Sequence, residues 1–100
     1  MKVDKEIGLE WARIPHFYSA FYVYQYATGF SSAALIANEI QAGAPDALDR
    51  YLQFLSSGGR DYPIELLKIA GVDLSTPKPV EAALGIFKEY VTQLEEAFRE

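Results

Sequence analysis

Four of the seven tyrosines in this 100-residue chain, Tyr18, Tyr22, Tyr24 and Tyr26, crowd into one short stretch beside its single histidine, His16. A phenol is neutral at pH 7 and donates one hydrogen bond. Aimed at a carbonyl oxygen that becomes an alkoxide, such donors favour the transition state over the ground state. An imidazole can donate to a peptide carbonyl or relay a proton. On a helix turning about 100° per residue, Tyr18, Tyr22 and Tyr26 form a column at i, i+4 and i+8. Tyr24 lies off that column, nearer Phe17 and Phe21, and is expected to pack. The residues alone leave a second reading open, in which the tyrosines bury their rings and keep only the hydroxyls wet. His16 is then an ordinary surface residue. Trp11 is expected in the core, and Glu89, Glu95 and Glu96 on a solvated helix face.

No other reactive centre emerges. Catalytic zinc takes about three protein ligands, usually histidine and carboxylate. With one histidine, no cysteine and no His-Glu-x-x-His pattern, the chain cannot assemble that set. Ser31, His16 and Asp46 could be named as a triad, but no strand-turn-helix elbow presents the serine. Haem or metal ligation through His16 alone has nothing to support it.

The elements that must position the cluster are marked by breakers. Pro15 favours the first turn of a helix, and Gly43 favours its end. The run FYVYQY between them has strand-like propensity, yet no turn signal separates it from ATGFSSAALIANEIQ. That segment places Phe30, Ala33, Ile36 (or Ala37) and Ile40 on one helical face. The expectation is therefore one long helix over residues 15–41, with a kink near Gly29. At ~1.5 Å per residue it would be ~40 Å long. A compact domain of this size is only roughly 34 Å across, so such a helix needs a partner surface.

A second helix is expected from Pro45, with Leu48, Tyr51, Leu52 and Leu55 as its buried stripe and Gly58-Gly59 as its end. A short third helix runs from Pro63 to Gly71, with Ile64, Leu66 and Leu67 inward. After the linker STPKP, a last helix carries Val80, Leu84, Phe87, Val91, Leu94 and Phe98 in an a/d-like repeat. The class is all-α, four to five helices, with residues 1–100 as one segment.

Composition narrows the function classes. The balance is that of a globular protein, 50% hydrophobic and 23% charged. A net charge of −5 opposes nucleic-acid binding, which needs a basic face. The longest apolar stretch is interrupted by Gln25, Asn38, Glu39 and serines, so no membrane span is expected. A cysteine-free chain with no signal peptide suits the cytoplasm.

The stretch GLEWARIPHFYSAFYVYQYATGFSSA resembles the C-terminal signature of the oligoendopeptidase F family of zinc metallopeptidases. YLQFLSSGGRDYPIELLKIAGVDLSTPKPVEAAL continues the resemblance in register, so that it covers residues 7–98. It implies the C-terminal helical part of a larger zincin-like peptidase that cleaves short peptides. Zinc in the complete enzyme would be held by a His-Glu-x-x-His helix and a further glutamate, none of them in this chain. The resemblance also implies that His16 and Tyr22 hold the peptide backbone and that Tyr26 assists the oxyanion. It implies Tyr18 as a further substrate contact, at a position where related branches space their tyrosines differently. The expected partners are an oligopeptide substrate and the N-terminal catalytic portion. Without that portion the chain is expected to bind no metal and to be inactive, whether as an excised fragment, an expressed domain or a split-gene product; Met1 suits the last two. The alternative is a non-catalytic helical module that self-associates or binds a partner through its tyrosine-rich face.

Overall fold

A computed structural model of the chain describes residues 3–99. Its order is a 3₁₀ helix Lys5–Arg13, a short 3₁₀ turn Pro15–Tyr18, and four α-helices: α1 Tyr24–Gln41, α2 Ala47–Ser56, α3 Pro63–Ile69 and α4 Lys78–Ala97. The described residues contain no strand, and the all-α class holds.

The breakers act as their chemistry requires. Gly43 (φ +67) and Gly71 (φ +86) take the left-handed conformation that ends α1 and α3. In both places the following amide reaches back to close the last turn, Ala44 N–H to the Glu39 carbonyl and Val72 N–H to that of Leu67, each at 3.0 Å. At the start of α4, Asp73 Oδ1 accepts from the Ser75 amide at 2.9 Å and from its hydroxyl at 2.6 Å. Pro79 sits in the first turn of α4, where its missing N–H costs nothing.

The single long helix over residues 15–41 does not form. The chain turns at residues 19–23, Phe21 adopts φ +59, and α1 begins only at Tyr24. This run of aromatic and β-branched side chains is poor helix-forming sequence. Its backbone settles instead for i→i+3 bonds such as Ser19 N–H to the His16 carbonyl and Tyr22 N–H to that of Ser19. No break occurs at Gly29, which α1 passes through. At 18 residues α1 spans ~27 Å.

α1 packs against α4, and α2 lies against both α1 and α3. The core is small: Leu35, Ala47, Ala70 and Val72, joined by Pro79 and the buried Ser31 and Ser32. Arg50 ties the helix ends together. Its Nη2 donates to Glu39 Oε2 and its Nη1 to the Pro45 carbonyl, both at 3.0 Å. The guanidinium lies under Gly71, where a Cβ would stand 3.5 Å from it.

Three stripes differ from expectation. On α2 the side chains turned inward are Ala47, Arg50, Tyr51 and Phe54, while Leu48, Leu52 and Leu55 face out. The two stripes differ by one residue in register, and both are apolar enough to be covered. On α4 the whole a/d-like stripe from Val80 to Phe98 is exposed, and Ile64 on α3 is exposed as well. Trp11 is also out of the core, 54% exposed, because the first 3₁₀ helix touches only the second. The radius of gyration is 17.5 Å, against ~13 Å for a compact chain of this length. The accessible surface is 8254 Å², where a folded 11.2 kDa chain shows roughly 5,700 Å². The shortfall in burial is what the sequence could not assign to a side.

Candidate functional site

The turn at residues 19–23 builds the site. Ile14, held extended by the proline after it, feeds the 3₁₀ turn that carries His16. Ser19 is extended again, and the left-handed Phe21 reverses the chain into the N-terminus of α1. The reversal lays the His16 ring on Tyr22, 5.4 Å between centroids and 20° from parallel. Tyr26, in the first turn of α1, meets both edge-on: its centroid is 6.1 Å from that of His16 at 87°, and 6.1 Å from that of Tyr22 at 69°. Offset-stacked and edge-to-face pairs at such separations are favourable. Three polar rings thus converge without a continuous helix beneath them.

Neither phenol is sunk in this chain's own interior; Tyr22 is 41% and Tyr26 59% exposed, and His16 is exposed. The Tyr22 hydroxyl raises the Tyr26 phenol above the usual tyrosine range, first as a hydrogen-bonding neighbour and second as a like charge on ionisation. Tyr26 therefore keeps its proton to higher pH than an ordinary tyrosine. Two phenols and an imidazole on an open ledge can hold a carbonyl oxygen and stabilise charge that develops there.

Tyr18 does not join them. It shares the 3₁₀ turn of His16, but its hydroxyl donates to the Ala12 carbonyl at 2.6 Å. Tyr24 is not packed away either; it is exposed and stands at one end of a groove of 960 Å³. This groove runs along α1 past Gly29, Ala33 and Ile40, with Phe54 of α2 and Leu67 of α3 on its other wall. The sequence signal for it was the spacing of small residues at Gly29, Ala33 and Ala37.

The residues present do not fit a zinc ion. His16 has phenols for neighbours, and no group of three His, Cys, Asp or Glu side chains gathers among the described residues. No helix there is long and apolar enough to cross a membrane.

The model of peptidase family M3 matches residues 1–86. Among curated proteins, the oligopeptidase PepF of Bacillus subtilis is 53% identical over 96 residues, which are 96% of this chain and 14% of that protein. The plasmid oligoendopeptidase F of Lactococcus lactis subsp. cremoris is 42% identical, over 95% of this chain and 16% of its own length. The crystal structure of oligoendopeptidase-F from Enterococcus faecium superposes with a TM-score of 0.82 at 47% identity, covering 97% of this chain and 19% of that one. This chain thus spans about one seventh of the Bacillus relative's length. With the family model, the identities and the superposed fold all in agreement, the chain belongs to peptidase family M3, as a segment similar to part of its oligoendopeptidase F members.

Proposed function

We propose that the chain is the substrate-facing helical part of a zinc-dependent oligoendopeptidase that hydrolyses short peptides. The metal is held by residues outside it. The observation that carries this reading is the stack of His16 on Tyr22 with Tyr26 edge-on to both, open to solvent, in a member of a peptidase family. Tyr26 donates to the oxygen that becomes negatively charged as the peptide carbonyl is attacked. Tyr22 and His16 hold the substrate backbone beside it. Tyr18 reaches substrate only by releasing the Ala12 carbonyl.

The expected outcome for the 100-residue chain alone is no peptide cleavage and, on metal analysis, no stoichiometric zinc. Joined to the remaining portion of the peptidase, it gives zinc-dependent cleavage of oligopeptides. In that complete enzyme Tyr26→Phe lowers kcat by about 10²–10³-fold with a smaller change in KM, as for loss of an oxyanion donor. Undiminished turnover in the variant removes the role assigned to Tyr26.

A second reading rests on Phe21 and Phe30, 89% and 72% exposed beside the tyrosines. Large uncovered aromatic patches recruit partners, so the isolated chain self-associates through residues 17–30. A strictly monomeric sedimentation profile at rising concentration counts against it.

A further inference from the structure

The structure leaves one groove whose chemistry specifies its occupant. We propose that the groove of α1, α2 and α3 seats an apolar α-helix contributed by the portion of the peptidase outside this chain; this rests on the segment reading above.

Shape and spacing argue for a helix. The groove follows α1 from Tyr24 to Ile40, ~24 Å at ~1.5 Å per residue, or about four turns. Gly29, Ala33 and Ala37 line it at four-residue intervals. Such a row lets a second helix approach closely and drop its ridge between the rows of the first. A Cβ placed at Gly29 meets nothing within 4 Å, so the space above it is open.

Hydrogen bonding argues against an extended peptide. Between the Tyr24 phenol at one end and the Tyr51 phenol on α2, the two hydroxyls along α1 are already committed: Thr28 donates to the Gln25 carbonyl at 3.0 Å and Ser32 to the Thr28 carbonyl at 2.8 Å. The remaining wall is largely aliphatic and aromatic, including Ile36, Phe54 and Leu67. An extended strand entering here would leave its own N–H and C=O groups unpaired, whereas a helix satisfies them internally.

Area argues that the occupant belongs to the same peptidase. The chain exposes roughly 2,500 Å² more than a folded protein of its mass, the scale of a permanent rather than a transient interface. Its matched relatives hold most of their length outside the matching part, 86% in the Bacillus protein by difference from the 14% covered. The groove also ends at Tyr24 and Gln25, next to Tyr26.

The absence of cysteine from the sequence supplies the test. Ala37→Cys is labelled with a maleimide in the isolated chain and in the chain joined to the remaining portion, each rate taken relative to that in urea, with the unsubstituted proteins as blanks. The thiol reacts near its unfolded rate in the isolated chain and at least 100-fold slower in the complete peptidase, with or without oligopeptide. Equal rates in the two forms overturn the proposal. So does protection that appears only when oligopeptide is added, which makes the groove a substrate site. Protection of the isolated chain that grows with its concentration overturns it in favour of a second copy. Turnover of Tyr26→Phe reports separately on the catalytic reading, so either idea can fail alone.

Discussion

The His16 and Tyr22 rings lie nearly parallel across a chain reversal, and no continuous helix joins them. The contact can therefore serve two ends, holding Tyr22 in place or presenting the imidazole to substrate. The two are separable. If the imidazole N–H holds a peptide carbonyl equally in ground and transition states, its loss raises KM and spares kcat. In the complete peptidase, His16→Ala and His16→Phe both raise KM by roughly tenfold, the worth of one hydrogen bond of about 1.4 kcal/mol. Recovery of wild-type KM in His16→Phe, which keeps a ring over Tyr22, shows that stacking alone is needed.

If Tyr26 is the oxyanion donor proposed above, the alkaline limb of the complete peptidase depends on Tyr22. Its hydroxyl raises the Tyr26 phenol, so Tyr26 remains a neutral donor to higher pH than an ordinary tyrosine. Removing that hydroxyl in Tyr22→Phe lets Tyr26 ionise earlier. The high-pH fall of kcat/KM then moves to lower pH, read from pH profiles of the two enzymes. An unmoved limb dissociates Tyr26 ionisation from activity.

Gly71 is needed for its backbone. Its φ of +86 is strained for any residue with a Cβ, while the added atom would stand at an ordinary 3.5 Å from Arg50 and Glu39. Gly71→Ala therefore destabilises by about 1–2 kcal/mol through strain alone. The Arg50–Glu39 pair stays in place. Urea unfolding followed by circular dichroism gives the first, and a crystal structure of the variant the second.

Asp73 makes the fold sensitive to acid. The Ser75 hydroxyl, and then the Ser75 amide, hold its carboxyl below the usual aspartate value. A group depressed in the native state stabilises it fully above the ordinary value of about 3.9, and that contribution is lost as pH falls through the lowered native value. Ser75→Ala thus has a lower Tm than wild type at neutral pH, and the gap closes as both are taken toward about pH 2. A gap that persists in acid assigns the effect of Ser75 to something other than Asp73.

Local chemistry made most of the fold legible. Gly43, Gly58-Gly59, Pro63 and Gly71 mark real boundaries because a positive φ or a fixed φ acts where it stands. The reversal at residues 19–23 was hidden, since no glycine or proline announces it and Phe21 supplies the left-handed turn. The i+4 spacing of Tyr22 and Tyr26 was visible in the sequence, whereas the reversal that lays His16 against both was not. Tyr18 shares the 3₁₀ turn of His16, but its hydroxyl is taken up by the Ala12 carbonyl. The stripe of α2 was read one residue out of register because Leu48, Leu52 and Leu55 are as apolar as the side that packs. Periodicity shows that a face wants covering, and only the rest of the molecule says by what.

The uncovered leucines and phenylalanines of α2 and α4 also set the fate of an unassembled copy. Chaperones hold such surfaces and proteases remove what they cannot hold. A cell making this segment in excess would degrade the surplus, so its lifetime would follow the supply of whatever covers those helices.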